Sequence, residues 1–196
     1  MTSPYSRKPK RRWHEITDEL LSEFPIAPDE LSDIVEASWA DIFNSRIGRG
    51  GFQIGRNIHP QPQMMGFLLH ELIALQLTTT AVGWRRGLAS HERDVEYDPE
   101  PFYSFEIKTS SSDAGIFGNR SYAQEGSGRK KSHSGFMLAV NFEKFSTDFG
   151  QPNLKLIRLG WLDASDWIAQ RAATGQQARL TPEARAYKLR TIRSYV

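Results

Sequence analysis

The chain has 196 residues, no cysteine and a formal net charge of +2. That length suits one domain with a core of its own, and the missing thiols exclude disulfide scaffolds, cysteine nucleophiles and cysteine-bound zinc. No apolar run approaches the roughly 20 residues that a membrane-spanning helix needs, and no apolar stretch follows the basic start, so a cytoplasmic protein with no membrane association is expected.

Residues 1–12 read as a flexible basic arm: Arg7, Lys8, Lys10, Arg11 and Arg12 crowd it, and Pro4 and Pro9 break any helix. Residues 13–196 then form a single domain. A helix is expected over 28–46. Pro28 suits its first turn, Asp29 and Glu30 favour its positive start, and Leu31, Ile34, Val35, Ile42 and Phe43 recur at helical spacing. Gly48, Gly50 and Gly51 end it, and the glycine-rich stretch 48–55 lacks the Lys-Ser/Thr ending of a phosphate loop. A second helix is expected over 62–77, with Met64, Leu68, Leu72 and Leu75 buried and Glu71 on the flank of that stripe. A carboxylate there must find a partner, because an unpaired buried charge is expensive.

Strands follow at Val95–Tyr97, 102–109, 136–142 and Leu154–Leu162. The last two are near-continuous apolar runs, as in strands covered on both faces. Residues 163–173 read as a helix capped by Asp163 or Ser165, and Thr181-Pro182 opens a last one. This order predicts an α/β domain, a mixed central sheet flanked by helices. Basic residues gather again at Arg129–Lys131 and at Arg185, Lys188, Arg190 and Arg193, as a phosphate-binding surface requires.

The stretch that carries chemistry is Asp94-Val95-Glu96-Tyr97 followed by Ser104-Phe105-Glu106-Ile107-Lys108-Thr109. Residues two apart on a strand share a face, so Glu106 and Lys108 point one way and Ile107 points to the core. Eleven residues separate Asp94 from Glu106, enough for a short strand, a turn through Asp98-Pro99-Glu100-Pro101 and an antiparallel return. Two carboxylates so placed repel unless a cation sits between them. Magnesium takes one or two carboxylates together with substrate phosphate and promotes attack by water on the phosphorus. Lys108 can orient that water or stabilise the crowded phosphate, and Glu71 can reach the same metal directly or through water. Asp98 is the rival to Asp94, but Pro99 behind it marks a turn.

The polar segment 109–133 follows directly. Asn119 and Gln124 can pair with adenine and Arg120 with guanine, while Thr109, Ser110, Ser111, Ser121, Tyr122, Arg129, Lys130 and Lys131 can bond phosphates. Cutting both strands of a symmetric site is most simply done by a two-fold dimer, so a homodimer on double-stranded DNA is expected.

Asp94, with Arg93 where a proline is usual, and Glu106-Ile107-Lys108 resemble the PD-(D/E)xK nuclease superfamily. Lys108-Thr109-Ser110-Ser111 and Ile116-Phe117-Gly118-Asn119-Arg120-Ser121-Tyr122-Ala123 resemble type II restriction endonucleases of the ScaI-like family. The resemblance covers roughly residues 64–162. It implies a restriction-endonuclease-like fold, magnesium-dependent site-specific hydrolysis of phosphodiester bonds in double-stranded DNA, and a cognate DNA methyltransferase. The same residues also fit a repair or junction-resolving nuclease of the superfamily, and their loss of function would leave a DNA-binding module.

Overall fold

In the computed structural model, residues 2–123, 133–146, 150–171 and 175–195 are described. The chain opens with α1 (Trp13–Ser22), α2 (Pro28–Asn44) and α3 (Pro62–Thr80). Strands β1 (Trp84–Arg86), β2 (Val95–Tyr97), β3 (Phe105–Ser110) and β4 (Phe117–Asn119) come next. Then follow β5 (Gly135–Phe142), β6 (Leu154–Leu162), β7 (Trp167–Ala169), β8 (Gln177–Leu180), α4 (Pro182–Tyr187) and β9 (Arg190–Ser194). Among the described residues the strands form a six-stranded sheet in the order β1-β2-β3-β5-β6-β9 and a three-stranded sheet in the order β4-β8-β7. Only β3 and β5 pair in parallel, so the large sheet is mixed, as expected.

The large sheet is covered on both faces, which explains the continuous apolar runs of β5 and β6. On one face Phe105, Ile107, Phe136, Leu138, Val140, Ile157, Leu159 and Trp161 pack against Leu31, Val35, Ile42, Met65, Leu69 and Ile73 of the helices. On the other, Met137, Ala139 and Leu162 pack against Ile116, Tyr122, Trp167, Leu180 and Leu189, the small sheet and the chain around it. Glu106 and Lys108 lie on this second face because they alternate with Phe105 and Ile107.

Pro28 and Pro62 do begin their helices. The buried face of α3 is nevertheless Met65, Leu69, Ile73 and Leu77, whereas Met64 and Leu75 are exposed. The helix is apolar nearly all round, so periodicity could not select its inner face. Close approach does: a Cβ at Gly66 would lie 2.4 Å from Oγ1 of Thr109 on β3, so only glycine lets the helix settle there.

The helix expected over 163–173 is replaced by one 3-10 turn, Ala164–Asp166, running straight into β7. Asp163 caps as expected, its N–H donating to Asp166 Oδ2 at 2.7 Å. Thr181 N then donates to the Asp166 carbonyl at 2.8 Å and draws the chain into pairing with β8. Nor does the C-terminal basic cluster form an open phosphate-binding surface. Lys188 is 2% exposed and bonded to Asp163 and Asp166. Arg190 pairs with Asp18, and Arg193 with Asp33 and Glu36.

Residues 2–12, read as an arm, lie against the domain. Tyr5 is buried with its hydroxyl 2.8 Å from Thr17 Oγ1, Ser3 Oγ donates to Asp163 Oδ2 at 2.8 Å, and Lys10 pairs with Glu183. No helix of the described residues is long and apolar enough to cross a membrane.

Candidate active site

β2 and β3 pair antiparallel with Val95 opposite Phe105. That register sets Asp94 opposite Glu106, so the two carboxylates face the same side, as the spacing predicts. β1 continues the arrangement outward: Arg86 pairs with Val95, and Gly87 N donates to the Asp94 carbonyl at 3.1 Å. Asp94 Oδ2 in turn accepts from Ile107 N at 2.7 Å, so the side chain of one strand grips the backbone of the next.

Glu106 is 2% exposed and ringed by donors. Lys108 Nζ stands 3.6 Å from its Oε2, Tyr122 Oη donates to Oε2 at 3.4 Å, and Arg93 Nη1 lies 3.5 Å from its Oε1. Arg93 also donates to the Ser134 carbonyl, its guanidinium lying over Gly135 where no side chain intervenes. Lys108 sits over the Tyr122 ring, 5.0 Å from its centroid, and donates to its neighbour Ile107 O at 3.3 Å. Asp94 faces His70, whose Nε2 is 3.2 Å from Oδ2.

The charges reinforce one another. Burial pushes the Asp94 carboxyl up, but the bond to His70, the Lys108 charge and the Ile107 N–H outweigh it and hold Asp94 far below the usual carboxylate range. The bond to Asp94 raises His70, against the opposing effect of burial. Burial pulls Lys108 down, but the Tyr122 oxygen, Glu106 and Asp94 together lift it, so it stands as an ammonium. A site with two carboxylates and an ammonium can hold a cation, orient water and answer charge building on a phosphate.

Two hard carboxylates side by side match the donor set of magnesium, and the ring of Lys108, Arg93 and His70 shows how much positive charge this place demands. Among the described residues no group of three or more His, Asp or Glu side chains converges as a complete ligand set. Glu71, expected to reach the same cation directly or through water, is turned to other partners. Its oxygens meet Arg86 Nη2 at 2.5 Å and His70 Nδ1 at 3.4 Å, and His70 in turn faces Asp94. A carboxylate on the flank of a helix takes the nearest cation, which here comes from β1, a three-residue strand too short to read from the sequence.

The expected DNA-contacting residues divide. Thr109, Ser110 and Ser111 line a groove of about 390 Å³ past the end of β3, together with Gln63, Lys144 and Gln177. Asn119, paired with Gln177 on β8, and Ser121 are exposed. Arg120 is half-buried, its Nη1 donating to the Gly175 carbonyl at 3.1 Å. Tyr122 is buried behind Glu106 and Lys108 rather than offered to a phosphate, because its ring fills the space between the two sheets against Trp167. Gln124, Arg129, Lys130 and Lys131 lie outside the described residues. Asn141 and Arg158, hidden within apolar strands, fasten the loop after β3. Asn141 Nδ2 donates to the Ser112 and Gly115 carbonyls at 2.8 and 3.1 Å, and Arg158 Nη2 donates to the Ala114 carbonyl at 2.9 Å. Both strands read as near-continuous apolar runs, and the single Asn or Arg within each was the available signal.

The chain matches the ScaI restriction endonuclease family over residues 3–193. It is 51% identical over 180 residues to the type II restriction enzyme ScaI of Streptomyces caespitosus, an alignment that covers 91% of this chain and 79% of the relative.

Proposed function

The chain belongs to the ScaI restriction endonuclease family, and from that premise we propose that it cuts double-stranded DNA at the site formed by Asp94, Glu106 and Lys108, with magnesium as its cation. It is a type II restriction endonuclease, a site-specific deoxyribonuclease that works with a divalent metal. The observation that carries the site assignment is the register that sets Asp94 opposite Glu106, with Lys108 Nζ 3.6 Å from Glu106.

Asp94 and Glu106 would hold the cation beside the substrate phosphate. When bound, the cation neutralises charge on the phosphate and makes water easier to deprotonate. Lys108, as an ammonium, orients the attacking water and stabilises negative charge on the phosphoryl oxygens. Tyr122 and Arg93 hold the Glu106 carboxylate in place. As the water oxygen bonds to phosphorus it gives up a proton to solvent, and the bond to the leaving sugar oxygen breaks as that oxygen takes up a proton from solvent. The groove past β3 receives the duplex, with Gln63, Lys144 and Gln177 joining Thr109, Ser110 and Ser111 in contact with it. Two copies related by a two-fold axis place one such site on each strand. A DNA methyltransferase of the same specificity is the functional partner that such a nuclease requires.

The test is incubation of the purified protein with unmethylated phage DNA, with magnesium and with EDTA. Discrete fragments are expected only with magnesium. Asp94→Ala and Glu106→Ala should stop cutting while binding to a duplex survives, and normal cutting by either variant would remove that residue from the site.

A further inference from the structure

His70 is absorbed by neither the cleavage step nor the core. It stands on α3 between two carboxylates, with Nε2 3.2 Å from Asp94 Oδ2 and Nδ1 3.4 Å from Glu71 Oε1. Glu71 is itself anchored, its Oε2 being 2.5 Å from Arg86 Nη2 on β1. A continuous line, Arg86–Glu71–His70–Asp94, thus runs from the edge strand through the helix to the carboxylate beside β2. At its far end Asp94 Oδ2 also accepts from Ile107 N at 2.7 Å.

The consequence is geometric. The terminal torsion of an aspartate is broad, so a lone carboxylate turns easily about it. Two donors on one oxygen, one from α3 and one from β3, remove that freedom. A histidine held at one nitrogen by a carboxylate and presenting the other is a directional donor, and such outer partners tune metal sites by orienting the ligands that touch the ion. The helix itself is set against β3 by the close approach at Gly66, four residues and so about one turn before His70. This gives the imidazole a fixed origin.

We propose that His70 is a positioning residue of the cleavage site, held by Glu71, which fixes the rotation of the Asp94 carboxylate toward the divalent cation. The inference rests on the reading of Asp94 as a cation ligand. It assigns Glu71 to the support of His70 rather than to the ion.

The experiment measures binding of manganese alone to the DNA-free protein, by the electron paramagnetic resonance signal of the free ion, for the parent, His70→Ala, His70→Gln, Glu71→Gln and Asp94→Asn chains. Alongside it runs the magnesium concentration that half-saturates cleavage of phage DNA. His70→Ala should weaken manganese roughly 10–100-fold and raise the half-saturating magnesium by a similar factor, with the rate recovering at high magnesium. His70→Gln places an amide N–H near the Nε2 position and should restore most of the loss, while Glu71→Gln should shift binding in the same direction by less. A purely structural histidine would lower the maximal rate and leave both metal midpoints where they are, and that result overturns the proposal. If Asp94→Asn abolishes manganese binding while neither His70 variant moves a midpoint, the His70 assignment falls alone. If Asp94→Asn binds manganese like the parent, the reading of Asp94 falls and the proposal falls with it. Should His70→Ala fail to fold, the midpoints of His70→Gln and Glu71→Gln decide: both unshifted overturns the proposal, and a shift in Glu71→Gln supports it.

Discussion

Gly87 touches no reacting group, yet replacing it with alanine should disable the site. It lies at the end of β1 opposite Asp94, to whose carbonyl its N–H donates. A Cβ on Gly87 would sit 1.8 Å from the Arg93 carbonyl oxygen and 3.0 Å from its carbon. Real Cβ atoms essentially never approach closer than 3.0 Å, so the Arg93 peptide must retreat by about 1.2 Å, the difference between those limits. That peptide carries Asp94. A displacement of about 1 Å at a positioned group costs on the order of 100-fold in rate, and overpacking costs about 1–3 kcal/mol of stability. In a chain of this length each kcal/mol lowers the melting temperature by roughly 2–4 °C, so Gly87→Ala should remain folded at 25 °C and cut DNA about 100-fold more slowly. The assay is single-turnover cleavage of phage DNA at saturating magnesium, with thermal unfolding in parallel. Gly150→Ala is the control, since no described atom lies within 4 Å of the Cβ it would add. A Gly87→Ala chain that cuts at the parent rate would refute the claim that this edge strand sets the position of Asp94.

Other expectations follow from the same contacts. Tyr122→Phe keeps the ring beneath Lys108 but removes the hydroxyl that reaches Glu106; single-turnover cleavage should slow by about 10-fold, one to two hydrogen-bond equivalents at most, while duplex affinity in a gel-shift assay stays put. Lys188→Met strands the buried carboxylates of Asp163 and Asp166 and should cost about 3–5 kcal/mol. Thermal melting should then fall by roughly 6–20 °C, and an unchanged melting temperature would contradict it. Glu92 is drawn down to about 2 by Arg85 first and then by the backbone N–H groups of Ala89 and Leu88. Its folded pKa lies below its unfolded one, so its contribution is present above the ordinary carboxylate range and is lost as pH falls from about 4.5 toward about 2. Glu92→Gln should flatten that acid limb when unfolding is followed against pH, and a limb identical to the parent's would show that the carboxylate contributes nothing there.

Much of strand β3 was legible because its determinants are local. Alternation on β3 follows from a two-residue period, so Glu106, Ile107 and Lys108 declare their faces without reference to anything distant. Turn residues at Asp98-Pro99 announce the hairpin that brings Asp94 back, and Pro28, Pro62 and Thr181-Pro182 mark helix starts by their own backbone chemistry. α1 went unread, although Trp13, Ile16, Thr17, Leu20 and Leu21 recur there at helical spacing.

What stayed hidden depends on residues far apart in the chain. His70 was one of five scattered histidines until α3 was laid against β1 and β3, and α3, apolar nearly all round, carries no sequence signal for the angle at which it docks. The close fit of Gly66 on Thr109 decides that angle, and with it whether His70 or Glu71 meets Asp94. Glu71 was diverted by Arg86, and Lys188 and Tyr122 were drawn inward by Asp163, Asp166, Glu106 and Trp167. A side chain's period along its own strand or helix is written in its neighbours, whereas the partner of a charged or aromatic group is chosen by packing between elements, where burial makes leaving a charge alone too costly.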